Sequence, residues 1–147
     1  MTKKLTKLST LSAVIFSGAL LAGPASAGHH EEMDGAQVWA DDQSVAAGSV
    51  TAKKVNAETN GWLVVHRTDS NMKPGPVVGH APLKKGKNMD VAAILTEEVK
   101  PGEMLMLMVH GESGGMKTGI FEYTLGAKED GPIKKDGKLI MQVVTTK

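Results

Sequence analysis

Residues 103–111 read EMLMLMVHG. The apolar run from Met104 to Val109 has Pro101-Gly102 before it and Gly111 after it. It is far too short to cross a bilayer, and its length and borders predict a strand buried on both faces, at the centre of a sheet. Successive strand side chains point to opposite faces. Met104, Met106, Met108 and His110 therefore share one face, and Leu105, Leu107 and Val109 the other. The first face is rich in soft sulfur and ends in an imidazole, a set that suits a metal as well as a core.

The neighbouring segments repeat the pattern. Residues 61–66 (GWLVVH) form a second apolar run, predicted as another inner strand. Residues 38–45, led by Trp39, predict a first strand, and 49–55, with Lys53 and Lys54, an edge-like one. A short strand is expected around Val77 and Val78, with Pro82 tending to end it. In 88–95, Met89, Val91, Ala93 and Leu95 fall on one side. Residues 120–125 alternate, with Phe121, Tyr123 and Leu125 pointing in, and 139–146 close the chain. Between these lie turn formers, among them 68–75 (TDSNMKPG), Asp130-Gly131-Pro132 and Asp136-Gly137. No segment after the first 27 residues has a convincing amphipathic helical period; 91–100 is the one ambiguous window. About seven or eight short strands at roughly ten-residue spacing predict an all-β, immunoglobulin-like β-sandwich.

The N-terminus reads as an export signal. Lys3, Lys4 and Lys7 precede an apolar stretch over 8–21, and Ala25-Ser26-Ala27 offers a small-residue cleavage site. Residues 1–27 are thus expected to be a signal peptide, 28–37 a mobile polar tail and 38–147 the β-sandwich domain. Cleavage takes three of the 17 basic residues and none of the 16 acidic ones, which turns a formal charge of +1 into a net negative one. No dense basic patch remains for a nucleic acid, and no later segment is long enough to span a membrane. The expected location is periplasmic or extracellular.

Cysteine is absent. That excludes disulfides, a thiolate zinc site, a blue-copper centre, a c-type haem attachment and a cysteine nucleophile. The chain has nine methionines, against only Trp39, Trp62, Phe121 and Tyr123 as aromatics beyond the leader. Methionine is adaptable core filler and also a soft ligand.

The segments GWLVVH (61–66), GPVVGHAPLKKGKNMDVA (75–92), KPGEMLMLMVHGESG (100–114) and DGPIKKDGKLIM (130–141) resemble a family of small exported β-sandwich domains of bacterial and archaeal envelope and surface proteins. The resemblance covers roughly 39–147. It implies the fold and the location, and no activity, because the function of that family is uncharacterised.

Two metal constellations follow from the residues. Cleavage after Ala27 would expose Gly28-His29-His30, which resembles the amino-terminal copper- and nickel-binding motif. A free amine, two amides and the third residue's imidazole form a square-planar nitrogen set suited to Cu(II) or Ni(II). The weaker constellation is His66, His80 and His110 with Met104, Met106 and Met108, which would meet only if their strands are neighbours. A strand-end or core histidine and methionine filler are the plainer alternatives.

Residues 111–115 (GESGG), with His66 and Asp90 upstream, imitate the trypsin-like order of His, Asp and Ser. The domain is too small for two barrels, and no His follows Ser113 to serve an α/β-hydrolase. The expectation is therefore a non-enzyme: an exported metal-binding module, with copper the expected cofactor, used for buffering, delivery or tolerance. The alternative is a ligand-free structural or interaction domain whose partner is an envelope protein.

Overall fold

A computed structural model of the chain describes residues 35–147, so the leader and the Gly28-His29-His30 motif lie outside the described residues. The strands are β1 (Gln37–Trp39), β2 (Ser49–Ala57), β3 (Gly61–Thr68), β4 (Val77–Leu83), β5 (Gly86–Leu95), β6 (Met104–Gly111), β7 (Lys134–Lys135), β8 (Lys138–Leu139) and β9 (Met141–Thr145). Seven of them form one antiparallel sheet in the order β1-β2-β5-β4-β3-β6-β9, and β7 and β8 form a small hairpin. The sheet curls into a near-barrel, bringing edge strand β1 against β6 and β9. The all-β, sandwich-like class predicted above is what the chain adopts.

The interior is filled by one parity of each strand. Leu63 and Val65 of β3 and Leu105, Leu107 and Val109 of β6 join Val50, Ala52, Val55, Val78, Ala93 and Val144 in one apolar core. The aliphatic face of the central strand is thus the inner one, and the methionine face looks out of the barrel. Every residue of β6 after Met104 is buried, so this strand is covered on both sides, as its composition demands.

The open edges are closed by side chains. The Gln43 amide lies along β2, donating to the Thr51 carbonyl at 2.9 Å and accepting from the Thr51 N–H at 2.8 Å. Its backbone bridges Thr146 in parallel, beyond the end of β9. One residue thereby ties β2 to the chain just past β9, which leaves fewer unpaired edge groups.

Several local expectations are corrected. Residues 38–45 hold a strand only over β1, the rest being spent on this closure. Segment β2 is flanked by β5 along its length and by β1 over Lys54, Val55 and Asn56, so it is an edge only in its first half. Pro82 does not end β4, which continues to Leu83. Met89 is exposed: the in–out alternation of β5 flips at Asp90, whose φ is +50°. Residues 120–125 form no strand; Tyr123 is buried, whereas Leu125 is exposed. By contrast, the Asp136-Gly137 turn closes the β7–β8 hairpin as read, with positive φ at both residues, the arrangement of a two-residue type I′ loop.

β3 and β6 approach closely at their ends. Gly61 pairs with Gly111, and a Cβ at Gly61 would sit 2.1 Å from the His110 carbonyl oxygen. That neighbour is backbone and cannot swing aside. Gly61→Ala is expected to cost about 2 kcal/mol by overpacking, read as a lower urea midpoint at unchanged slope.

Candidate metal centre

Antiparallel pairing of β3 with β6 sets Trp62 opposite His110, Val64 opposite Met108, His66 opposite Met106 and Thr68 opposite Met104. All eight share the outward face. Solvent does not reach most of it, because the long connection after β6 folds back across it. Tyr123 from that connection packs edge-on to His110 at 4.5 Å and to His66 at 5.9 Å, between ring centroids. Phe121 covers Trp62 at 5.5 Å. Beneath this cover His66, Met106, Met108 and His110 are at most 1 % exposed.

The imidazoles of His66 and His110 meet there. Their Nε2 atoms are 3.4 Å apart and their ring planes are inclined by only 29°. The other nitrogen of each ring is already committed. His66 Nδ1 is 2.8 Å from the Gly75 carbonyl and His110 Nδ1 is 2.6 Å from the Asp130 carbonyl. A carbonyl only accepts, so both Nδ1 atoms carry the proton and donate it. In the neutral rings both Nε2 atoms are then bare. Two lone pairs face each other at a distance where a hydrogen bond would need one proton, and neither ring has a proton to give.

The rings are held neutral. Burial pushes the His110 imidazole down to about 4, against the upward pull of the Asp130 carbonyl; the nearby His66 pushes it further down and the Asp130 carboxylate pulls it back up. Burial also lowers His66, opposed by its hydrogen bond to Gly75. At neutral pH the site therefore offers two unprotonated nitrogens, each ring oriented from behind by a backbone carbonyl. That is the common arrangement of metal-ligating histidines.

Both carbonyls are placed by irregular backbone. A register shift between Val65 and His66 in the β3–β4 pairing lets the turn before β4 fold against β3, where the Gly75 N–H donates to the Arg67 carbonyl at 2.8 Å. Asp130 adopts φ +46° and is fully buried. Its carboxylate accepts the Ser113 N–H at 3.1 Å and the Glu122 N–H at 2.8 Å, and its own N–H donates to the Ser113 carbonyl at 2.8 Å. One side chain thus ties both arms of the covering connection beside His110.

Of the histidines and methionines grouped from sequence, His66, His110, Met106 and Met108 come together. Met104 is half-buried at the far end of the row. His80 is exposed and stacks on Phe121 at 4.3 Å, with Trp62 at 5.7 Å, apart from the pair. Among the described residues no third histidine or carboxylate joins the two imidazoles in a metal-holding group. The His66, Asp90 and Ser113 order assembles no triad: the His66 Nδ1 proton goes to the Gly75 carbonyl, and Asp90 is exposed on β5. A cavity of about 470 Å³ opens beside Trp62, Pro82 and Thr118, but neither imidazole lines it.

Sequence reasoning passed over Asp130, reading Asp130-Gly131-Pro132 as a turn. The residue does turn the chain, and its left-handed φ suits Asp. No local signal marks the carboxylate as buried.

Residues 36–147 match the model of a family described as a domain of unknown function (DUF7282), and the chain belongs to that family. No curated protein and no solved structure matches the chain. Membership of an uncharacterised family is as the sequence resemblance implies. The family description names neither an envelope location nor a copper motif.

Proposed function

We propose that this chain is an exported metal-binding module that handles copper, in buffering, delivery or tolerance. The observation that carries the reading is the pair of bare Nε2 atoms of His66 and His110, 3.4 Å apart under Tyr123. Metal–imidazole bonds of about 2.0–2.1 Å put two nitrogens of a tetrahedral or trigonal site roughly 3.3–3.6 Å apart. The spacing fits two ligands of one ion. Met106 and Met108 on the same buried face add soft thioethers, which favour copper over harder ions. Export rests on the leader-like residues 1–27, and cleavage after Ala27 would make Gly28-His29-His30 a separate Cu(II) site.

Titration of the full secreted chain with copper, against a chromophoric competitor, tests this. His110→Leu is expected to weaken binding at the buried site about 100-fold or more, since it removes one of two nitrogen donors. A His29→Ala/His30→Ala double variant should leave that site intact and abolish only a square-planar Cu(II) band. Equal copper affinity in the parent and in His110→Leu would refute the buried site.

The second reading is a ligand-free interaction domain of the envelope. Met116, Ile120 and Leu125, exposed on the covering connection, favour it. No copper binding at either site would leave that reading in place.

A further inference from the structure

We infer that the buried His66–His110 pocket is charge-matched to a single monovalent soft cation, Cu(I), and that the carboxylate of Asp130 sets this preference. The inference rests on the reading of the two imidazoles as metal ligands, and adds which ion they take and why.

Asp130 is 0 % exposed, and both its oxygens accept backbone N–H groups. Among the described residues no lysine or arginine forms an ion pair with it. A carboxylate buried without a counter-charge is costly, and two amide donors offset only part of that cost. The same residue's carbonyl holds the His110 ring from behind, and its carboxylate acts electrostatically on that ring. The pocket thus has two complementary deficits: lone pairs with nothing between them, and one negative charge with no partner. One monovalent cation on the two Nε2 atoms resolves both and leaves the buried site neutral.

A divalent ion does not. Zn(II) would leave a net positive charge under the aromatic cover, and it asks for four donors, with thiolate, carboxylate or further imidazole completing the set. The described residues provide no such third group. Cu(I) is satisfied by two imidazoles and soft thioethers, which are the donors present on this face.

The test compares ions on the full chain. Ag(I) serves as the redox-inert monovalent probe, Cu(I) is supplied anaerobically, and Zn(II) is the divalent comparison. Binding at His66 and His110 is followed by imidazole nitrogen shifts. The expected result is one Ag(I) or Cu(I) per chain, with Zn(II) at least 100-fold weaker. Asp130→Asn, which keeps the shape and removes the charge, should weaken Ag(I) about tenfold, the lower end of what lost outer contacts cost a metal site. It should also lower the protonation midpoint of His110, the ring that its charge acts on, which a purely structural role for Asp130 would not do. Zn(II) binding as tightly as Ag(I), which needs no variant to observe, would overturn the charge argument while leaving the metal site standing. So would an Ag(I) affinity and a His110 midpoint unchanged in a folded Asp130→Asn chain. No shift at either histidine with any ion would overturn both the inference and the metal reading beneath it.

Discussion

Metal-free protein is expected to lose roughly 3 kcal/mol of stability as the pH falls from about 6.5 to about 4. The cause is His110. Its imidazole is pushed down to about 4 in the folded chain, from 6.5 when exposed. Between those values the unfolded chain binds a proton that the folded chain refuses, so acid draws the equilibrium toward unfolding. The contribution is complete above pH 6.5, shrinks by about 1.4 kcal/mol per pH unit below it, and is exhausted near pH 4. The ring is 1 % exposed, so solvent screening does little to reduce it. His66, lowered by the same burial, acts in the same direction. Urea midpoints at pH 7, 6, 5 and 4.5 measure the slope, and His110→Leu should remove most of it. A parent curve flat from pH 7 to 4.5 would show that the two rings accept a proton as readily folded as unfolded.

What could be read ahead of the structure was set by local pattern. The borders and bulk of 104–109 were enough to place a strand buried on both faces. Parity was enough to put His110 with Met104, Met106 and Met108. That His66 belongs with them needed strand order, because 44 residues separate the two rings and only the β3–β6 pairing joins them. Alternation in 120–125 was a real signal with the wrong meaning. Phe121 and Tyr123 face an apolar surface, and that surface is the outside of the sheet, reached without any ladder. Periodicity reports which side is buried, and a covering loop alternates for the same reason that a strand does. Asp130 was legible as a turn former and no more, since its carboxylate partners, Ser113 and Glu122, come from opposite arms of the connection.

The two faces of β6 should respond differently to substitution. Leu107 is fully buried in the inner core, with Leu63, Val65 and Val144 in the same cluster. Leu107→Ala removes buried methyl groups and leaves a cavity that a curled sheet cannot easily collapse around, and is expected to cost about 3–4 kcal/mol. That is a large part of a typical small domain's total stability of about 5–15 kcal/mol. Met106, one residue earlier, is equally buried but points to the outer face opposite His66. Met106→Leu nearly conserves volume and should cost less than about 1.5 kcal/mol. It removes a thioether, however, and should weaken Ag(I) binding about tenfold, whereas folded Leu107→Ala should bind as the parent does. Denaturant midpoints and Ag(I) competition on the same two variants separate packing from ligation. A Met106→Leu chain with parental Ag(I) affinity would make that methionine a filler and leave Met108 as the remaining buried thioether beside the imidazoles on this face.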